Sequence, residues 1–275
     1  MPLSLVDDVR THLKTHALGR TLRGKASVPS TNTEAAQWAR QGAPHGSVVV
    51  TEFQTAGRGR QGRSWRAAAG QNLMFSVVLR PSFPLERLGL LPIAAGVAVA
   101  DAVHPFIAPH EPTLKWPNDV LIEGQKICGI LSETSFAGPR AAPGAAGGKP
   151  GFVVLGIGLN VNQTQFPEAL SETATSLRLA SGRLVPRAVL FARLLERLEE
   201  RSDALATASG APRLRDAFHH RMHRRGEPAT LHVPGTERTV SGTVRGITDD
   251  GALLLDTDAG RRAVYAGDVT SHSPR

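Results

Sequence analysis

The chain has 275 residues, 41% of them hydrophobic and only 5% aromatic. That is enough apolar material for one aliphatic core of roughly 200 residues plus a small appendage, and too little for three domains. A single cysteine, Cys128, excludes an intramolecular disulfide framework and an all-cysteine metal site. The net charge of +8 admits a nucleic-acid partner, but all except five of the 32 basic residues are arginines spread along the whole chain. Against that habit, two lysines of the apolar centre, Lys115 and Lys126, stand out as positions where a guanidinium would not serve.

In chain order, residues 1–25 read as one helix leading into the body. Met1 to Arg10 holds two Asp residues and no apolar stretch of a secretory signal. Thr31 reads as an N-cap, with Glu34 three residues on closing a capping box, for a helix to about Gln41. Ser47 to Phe53 and Leu73 to Arg80 are strand-like, with a glycine–arginine loop between them. Glu86 to Val103 has helical composition; its apolar part, Leu88 to Val103, is shorter than the ~20 residues needed to cross a bilayer. No membrane contact and a soluble cytoplasmic protein are therefore expected. Thr113 to Trp116, Asp119 to Ile122, Lys126 to Phe136 and Phe152 to Val161 read as strands. The Ala/Gly/Pro-rich segment 137–151 reads as a mobile hairpin tip. Leu190, Leu194 and Leu198 mark a helix, Ala211 to Arg225 a second one. After Gly226 short β-like runs alternate with Gly and Asp turns, the texture of a small β-barrel.

Three segments carry chemistry. In the first, Gln54 to Trp65, the spacing Gly57-x-Gly59-x-x-Gly62 formally satisfies a dinucleotide-binding pattern. However, the segment runs into a strand, not a helix, and no acidic residue follows about 20 positions on. What it offers is three guanidinium groups, Arg58, Arg60 and Arg63, able to fork around a phosphoryl group, and Trp65 as a face for a ring. Alone, it is as compatible with a solvated basic loop or an RGG-like nucleic-acid segment. The second segment, Lys115-Trp116-Pro117-Asn118-Asp119, holds a lysine, an amide and a carboxylate around a proline that stiffens the backbone. In the third, Lys126 opens a strand. Simple alternation puts it on one face with Cys128, where it needs a partner anion; Cys128 itself reads as a packing residue. Farther on, Gly156-Ile157-Gly158-Leu159-Asn160 ends a buried strand with glycines that permit close approach to the backbone. Asn160 could read an adenine edge or cap a turn.

In this order the motifs resemble those of biotin–protein ligases: Ser-Thr-Asn at Ser30, Gln-x-x-Gly-Arg-Gly-Arg-x-Gly-Arg-x-Trp from Gln54, Lys-Trp-Pro-Asn-Asp, Lys-x-x-Gly-Ile-Leu and Gly-x-Gly-x-Asn. The match runs from about Ser30 to Asn160 and continues weakly through Gly251-Ala-Leu-Leu-Leu and Gly267-Asp268. The resemblance implies an α/β (α+β) fold: a mixed-sheet catalytic domain of the biotin/lipoate-ligase type over 26–225, followed by a small SH3-like barrel over 226–275, with 1–25 as a short N-terminal segment.

The resemblance also implies ATP and biotin as substrates, Mg²⁺ with the ATP, and a biotin carboxyl carrier protein as acceptor. By similarity, Lys126, Arg58, Arg60, Lys115 and Asp119 carry the chemistry. Ser30, Thr31, Asn32, Gln54, Arg58, Gly59, Arg60, Lys126 and Gly129 would hold biotin. Arg60, Arg63, Trp65, Lys115, Asn118, Gly158 and Asn160 would hold the nucleotide. Many relatives also carry an N-terminal helix-turn-helix; with only 29 residues ahead of Ser30, sequence-specific DNA binding is not expected, while a homodimer is left open. His219, His220 and His223 read as a solvated basic helix end rather than a zinc site. The nearest rival is a lipoate or octanoate transferase of related fold, which lacks the Arg-rich loop with Lys-Trp-Pro-Asn-Asp. A basic nucleic-acid-binding protein ranks below it.

Overall fold

A computed structural model describes residues 2–136, 150–232 and 239–270; most of the expected hairpin tip at 137–151 falls outside them. Helix α1 (Pro2–His12) precedes β1 (Leu22–Lys25), α2 (Thr31–Arg40) and β2 (Val48–Thr51). The loop then makes one 3₁₀ turn at Arg60–Gly62 and enters β3 (Leu73–Leu79) without forming a helix. Helix α3 (Leu91–Ile107) is followed by β4 (Pro112–Lys115), β5 (Asp119–Ile122), β6 (Gln125–Phe136) and β7 (Pro150–Leu159). Three helices come next, α4 (Leu177–Ser181), α5 (Arg187–Ala204) and α6 (Gly210–Arg221). The tail contributes β8 (Pro228–His232), β9 (Thr239–Ile247), β10 (Leu253–Thr257), β11 (Gly260–Val264) and β12 (Asp268–Thr270).

The first seven strands form one mixed sheet in the order β1-β2-β3-β7-β6-β5-β4. The β1–β2 pair is parallel and the remaining pairs are antiparallel. All seven residues of β3 are buried, as expected of a continuous apolar run at the middle of a sheet covered on both faces. α2 covers one face with Ala35, Trp38 and Ala39. α3 and α5 cover the other, α3 burying twelve of its seventeen residues. Tail strands form an antiparallel sheet, β11-β10-β9-β8-β12, the small all-β unit expected from the texture after Gly226 and consistent with the SH3-like type that the resemblance implies. Its Leu231, Val244, Leu253 and Leu255 are fully buried or nearly so and join the same core as the body.

Three expectations are corrected. Residues 1–25 are a helix plus a strand: β1 pairs with β2 from Leu22 to Lys25, and Leu5, Val6 and Val9 lie in the core, so a boundary at 25 would cut the sheet. A 3₁₀ turn at Leu85–Leu90 extends α3 into a 23-residue apolar helix, long enough to span a bilayer, yet 72% of its most apolar window is buried inside the protein. It is a core helix. Finally, α2 begins after Ser30 rather than Thr31, and no side chain caps it; the Thr31 hydroxyl is engaged elsewhere.

The turn after α1 is held by a buried anion. Glu199 on α5 accepts backbone N–H bonds from His16, Ala17 and Leu18 at 2.7, 2.7 and 2.8 Å. Burial alone would raise its pKa, but the three donors outweigh it and hold the carboxyl below its ordinary value.

Candidate active site

A cavity of about 540 Å³ opens over the sheet between the start of α2, the glycine–arginine loop, the β4–β5 turn and β6–β7. All sixteen residues singled out in the sequence line it: Ser30, Thr31, Asn32, Gln54, Arg58, Gly59, Arg60, Arg63, Trp65, Lys115, Asn118, Asp119, Lys126, Gly129, Gly158 and Asn160.

Its inner wall is a polar set at the start of α2. Ser30, Thr31 and Asn32 are each 4% exposed. Gln54 Oε1 accepts from the Thr31 amide at 2.8 Å and its hydroxyl at 3.2 Å. Ser76 Oγ, on β3, lies within hydrogen-bonding distance of Thr31 Oγ1 and Asn32 Oδ1, 2.8 and 2.6 Å away. This is why Thr31 does not cap: its hydroxyl serves the wall. Gly156 is glycine because a methyl there would collide with Asn32 Oδ1.

The floor is a glycine pair. Gly129 on β6 and Gly158 on β7 are register partners, and the Trp65 indole lies across both. Approach to the backbone is thus by a protein ring, rather than by open space for a ligand as the glycines suggested. The indole Nε1 is buried without a partner.

Lys126 leaves the sheet at an irregularity. Leu121 pairs with Lys126 and Val120 with Cys128, so Ile127 is an extra residue in the ladder, a β-bulge. The bulge overturns the simple alternation: Ile127 and Cys128 both enter the core, while Lys126 turns to the cavity. Its backbone is pinned in both directions, N–H to Thr173 O at 2.8 Å and O from Thr175 N–H at 3.0 Å. The side chain passes over Gly129. Its Nζ lies 2.6 Å from Asp119 Oδ1, an ion pair out of hydrogen-bond alignment; this is the partner anion the lysine requires. Cys128 is fully buried and burial pushes its thiol far above the ordinary range, so it is a packing residue and not a nucleophile.

The β4–β5 turn links three parts. Trp116 Nε1 donates to Gly251 O in the tail at 2.9 Å. Asn118 Nδ2 donates to Ile130 O at 3.0 Å, and its Oδ1 accepts from Arg60 at 3.1 Å. The loop is therefore folded over the cavity with Arg60 tied to the turn. Arg58 Nη2 donates to Glu133 Oε2 at 2.7 Å. Asn160 is tied by Nδ2 to Thr175 O at 3.0 Å, while its buried Oδ1 has no partner; it pins the turn and keeps an acceptor in reserve.

Other lining residues were not assigned to the site from sequence: Phe166, Leu170, Thr173 and Ala174 on the segment after β7, and His223 beyond α6. Strand periodicity could not flag that irregular segment; only the backbone bonds to Lys126 bring it in. Of the three late histidines only His220 is exposed as a solvated helix end; His219 and His223 are not. His219 Nε2 accepts the Ile247 N–H at 2.8 Å, joining α6 to the tail. Half-buried His223 is pushed down in pKa by burial and then by Lys115. No group of three or more His, Cys, Asp or Glu able to hold a metal occurs among the described residues.

A buried polar wall, a cluster of cations and an indole face in one cavity fit an acid-activating ligase site. The chain belongs to the biotin/lipoate A/B protein ligase family, whose profile matches residues 24–142; the biotin protein ligase C-terminal domain matches residues 232–270. It is 42% identical to the biotin–[acetyl-CoA-carboxylase] ligase of Mycobacterium tuberculosis over 91% of this chain and 88% of that one. With the bifunctional ligase/repressor BirA of Bacillus subtilis it shares 34% identity over 95% of this chain and 77% of the relative. The biotin protein ligase from Aquifex aeolicus, solved with biotin and ATP, superimposes with a TM-score of 0.75 at 27% identity, over 91% of this chain and 98% of that one.

Proposed function

We propose that the chain is an ATP-dependent biotin–protein ligase, a carbon–nitrogen ligase that makes biotinyl-5′-AMP and passes biotin to a lysine of a biotin carboxyl carrier domain. The convergence of sixteen motif residues on one cavity carries this reading. In the first step a biotin carboxylate oxygen attacks the α-phosphorus of ATP, and the α–β anhydride breaks to release pyrophosphate. In the second, the carrier lysine amine attacks the acyl carbon and AMP leaves. The obstacle in step one is repulsion between two anions, and cations fixed where they meet lower it without reorganising.

In this assignment Ser30, Thr31, Asn32 and Gln54 bind the ureido ring, with donors and acceptors already oriented by Ser76. Lys126 bridges the carboxylate and the α-phosphate, with Gly129 giving its chain room. Arg58, Gly59 and Arg60 close over the same point, and Lys115 faces the departing pyrophosphate. Arg63, Trp65, Asn118, Gly158 and Asn160 form the adenylate side. Asp119, beside Lys126, receives and orients the incoming lysine amine. Magnesium is assigned to the ATP phosphates: Asp119 is the single carboxylate among the described lining residues and is engaged by Lys126, so the residues suit a cation carried in with ATP better than a protein-built cage.

The partner assigned is a carrier domain in the cytoplasm, not a specific DNA sequence, and the residues after Gly226 are assigned as the SH3-like unit. Incubating the purified protein with ATP, a carrier domain and either biotin or lipoate, followed by mass spectrometry of the carrier, tests the reading. Biotin alone should be transferred. Preferential transfer of lipoate would replace it with the rival activity.

A further inference from the structure

Glu133, near the middle of β6, belongs to none of the residues assigned above, yet one of its oxygens joins two of them. Oε2 accepts from Asn32 Nδ2 at 2.7 Å and from Arg58 Nη2 at 2.7 Å. We propose that Glu133 is a positioning residue for biotin activation: it ties the ring pocket to the glycine–arginine loop and sets where Arg58 meets the biotin carboxylate. This rests on the ligase reading and adds to it a residue that lines the outer cavity beside the loop rather than the main one.

The two ends of the link differ in a telling way. Asn32 is 4% exposed and held at its other atom by Ser76, so it is a fixed point. The Arg58 and Glu133 side chains are 46% and 39% exposed, and an ion pair so open to water contributes little to folding. What the pair does contribute is direction. The loop carrying Arg58 is rich in glycine, and a guanidinium is a planar fork with five donors. Spending one donor on a carboxylate that is itself fixed by Asn32 orients the rest of the fork. Arg58 lines both cavities, so the donors left over face the place where the biotin carboxylate must lie. The ring that fills the pocket and the cation that meets its tail are thereby placed by one oxygen.

A double-mutant cycle reads this directly. Biotin-dependent ATP–pyrophosphate exchange would be measured for the wild type, Glu133→Gln, Arg58→Ala and the double variant. Gln keeps an acceptor for Asn32 and removes the charge that orients Arg58. Glu133→Gln should raise KM for biotin about tenfold, the order of one charge-assisted hydrogen bond. Its kcat should change by less than about threefold and its melting temperature should stay put. In the Arg58→Ala background the same substitution should have no further effect beyond about twofold. An equal rise in KM with or without Arg58, or an unchanged or lowered KM in Glu133→Gln alone, would overturn the inference while leaving the ligase reading intact. Absence of exchange in the wild type would overturn both.

Discussion

Adding one methyl at the cavity floor, Gly158→Ala, tests whether the glycine pair exists to seat Trp65. Gly158 does not have the left-handed backbone that would make substitution costly in itself. A Cβ there would lie 2.8 Å from both Cζ2 and Nε1 of Trp65, against ordinary carbon contacts of about 3.5–4.0 Å. Something must move by about 1 Å. β7 is paired on both sides, with β3 and β6, whereas Trp65 is half-buried in a loop, so the indole yields. Overpacking of this kind costs about 1–3 kcal/mol, or roughly 5- to 150-fold in an equilibrium constant. With Trp65 on the adenylate side, KM for ATP should rise by about tenfold or more, while KM for biotin changes little. In a Trp65→Ala background the methyl has nothing to displace and Gly158→Ala should be nearly silent. Pyrophosphate exchange at varied ATP measures both. A Gly158→Ala enzyme with wild-type ATP dependence would refute the seating argument.

Three other outcomes follow from the same geometry. Lys126→Ala removes the cation proposed to bridge the reacting groups and should abolish biotin-dependent exchange, whereas near-normal exchange would take Lys126 out of the chemistry. Arg60→Gly cuts the tie to Asn118 and should loosen the loop, so labelling of bystander lysines should rise, seen by probing unrelated proteins for biotin after reaction. Glu199→Ala leaves three backbone donors without their acceptor and should cost about 3 kcal/mol, or roughly 6–12 °C in melting temperature for a chain of this size. Because the folded-state pKa of Glu199 is depressed, its stabilisation is fully present above the ordinary carboxylate pKa of about 4.3 and is lost as pH falls through the lower folded value. The gap in melting temperature between wild type and Glu199→Gln should therefore narrow as pH falls below the ordinary carboxylate range; a constant gap would show that the charge is not what matters.

The lining of the site was legible because it is made of residues that are costly to place without a purpose. Three arginines among glycines, two lysines in an apolar stretch and an amide beside a proline all reached the same cavity. The strands flanking them were equally plain, since continuous apolar runs such as Leu73–Leu79 have one stable home. What escaped was register and partnership. The bulge at Ile127 takes Lys126 and Cys128 off the common face that alternation gives them, and no periodicity announces an extra residue. Thr31 has the chemistry of a cap, but Ser76 and Gln54, 45 and 23 residues away, claim its hydroxyl. β1 is too short and too polar to read as a strand and is defined by the neighbour it pairs with. Glu133 carried no signal in the sequence, because its meaning lies in two donors that come from distant segments.

The central claim is that a fixed cluster of cations lets the carboxylate of biotin reach the α-phosphate of ATP. Isotope exchange between pyrophosphate and ATP, measured with and without biotin and with no carrier protein present, tests it most directly. The account predicts exchange that depends on biotin and saturates with it. No exchange with biotin present, or exchange at the same rate without it, would contradict the claim.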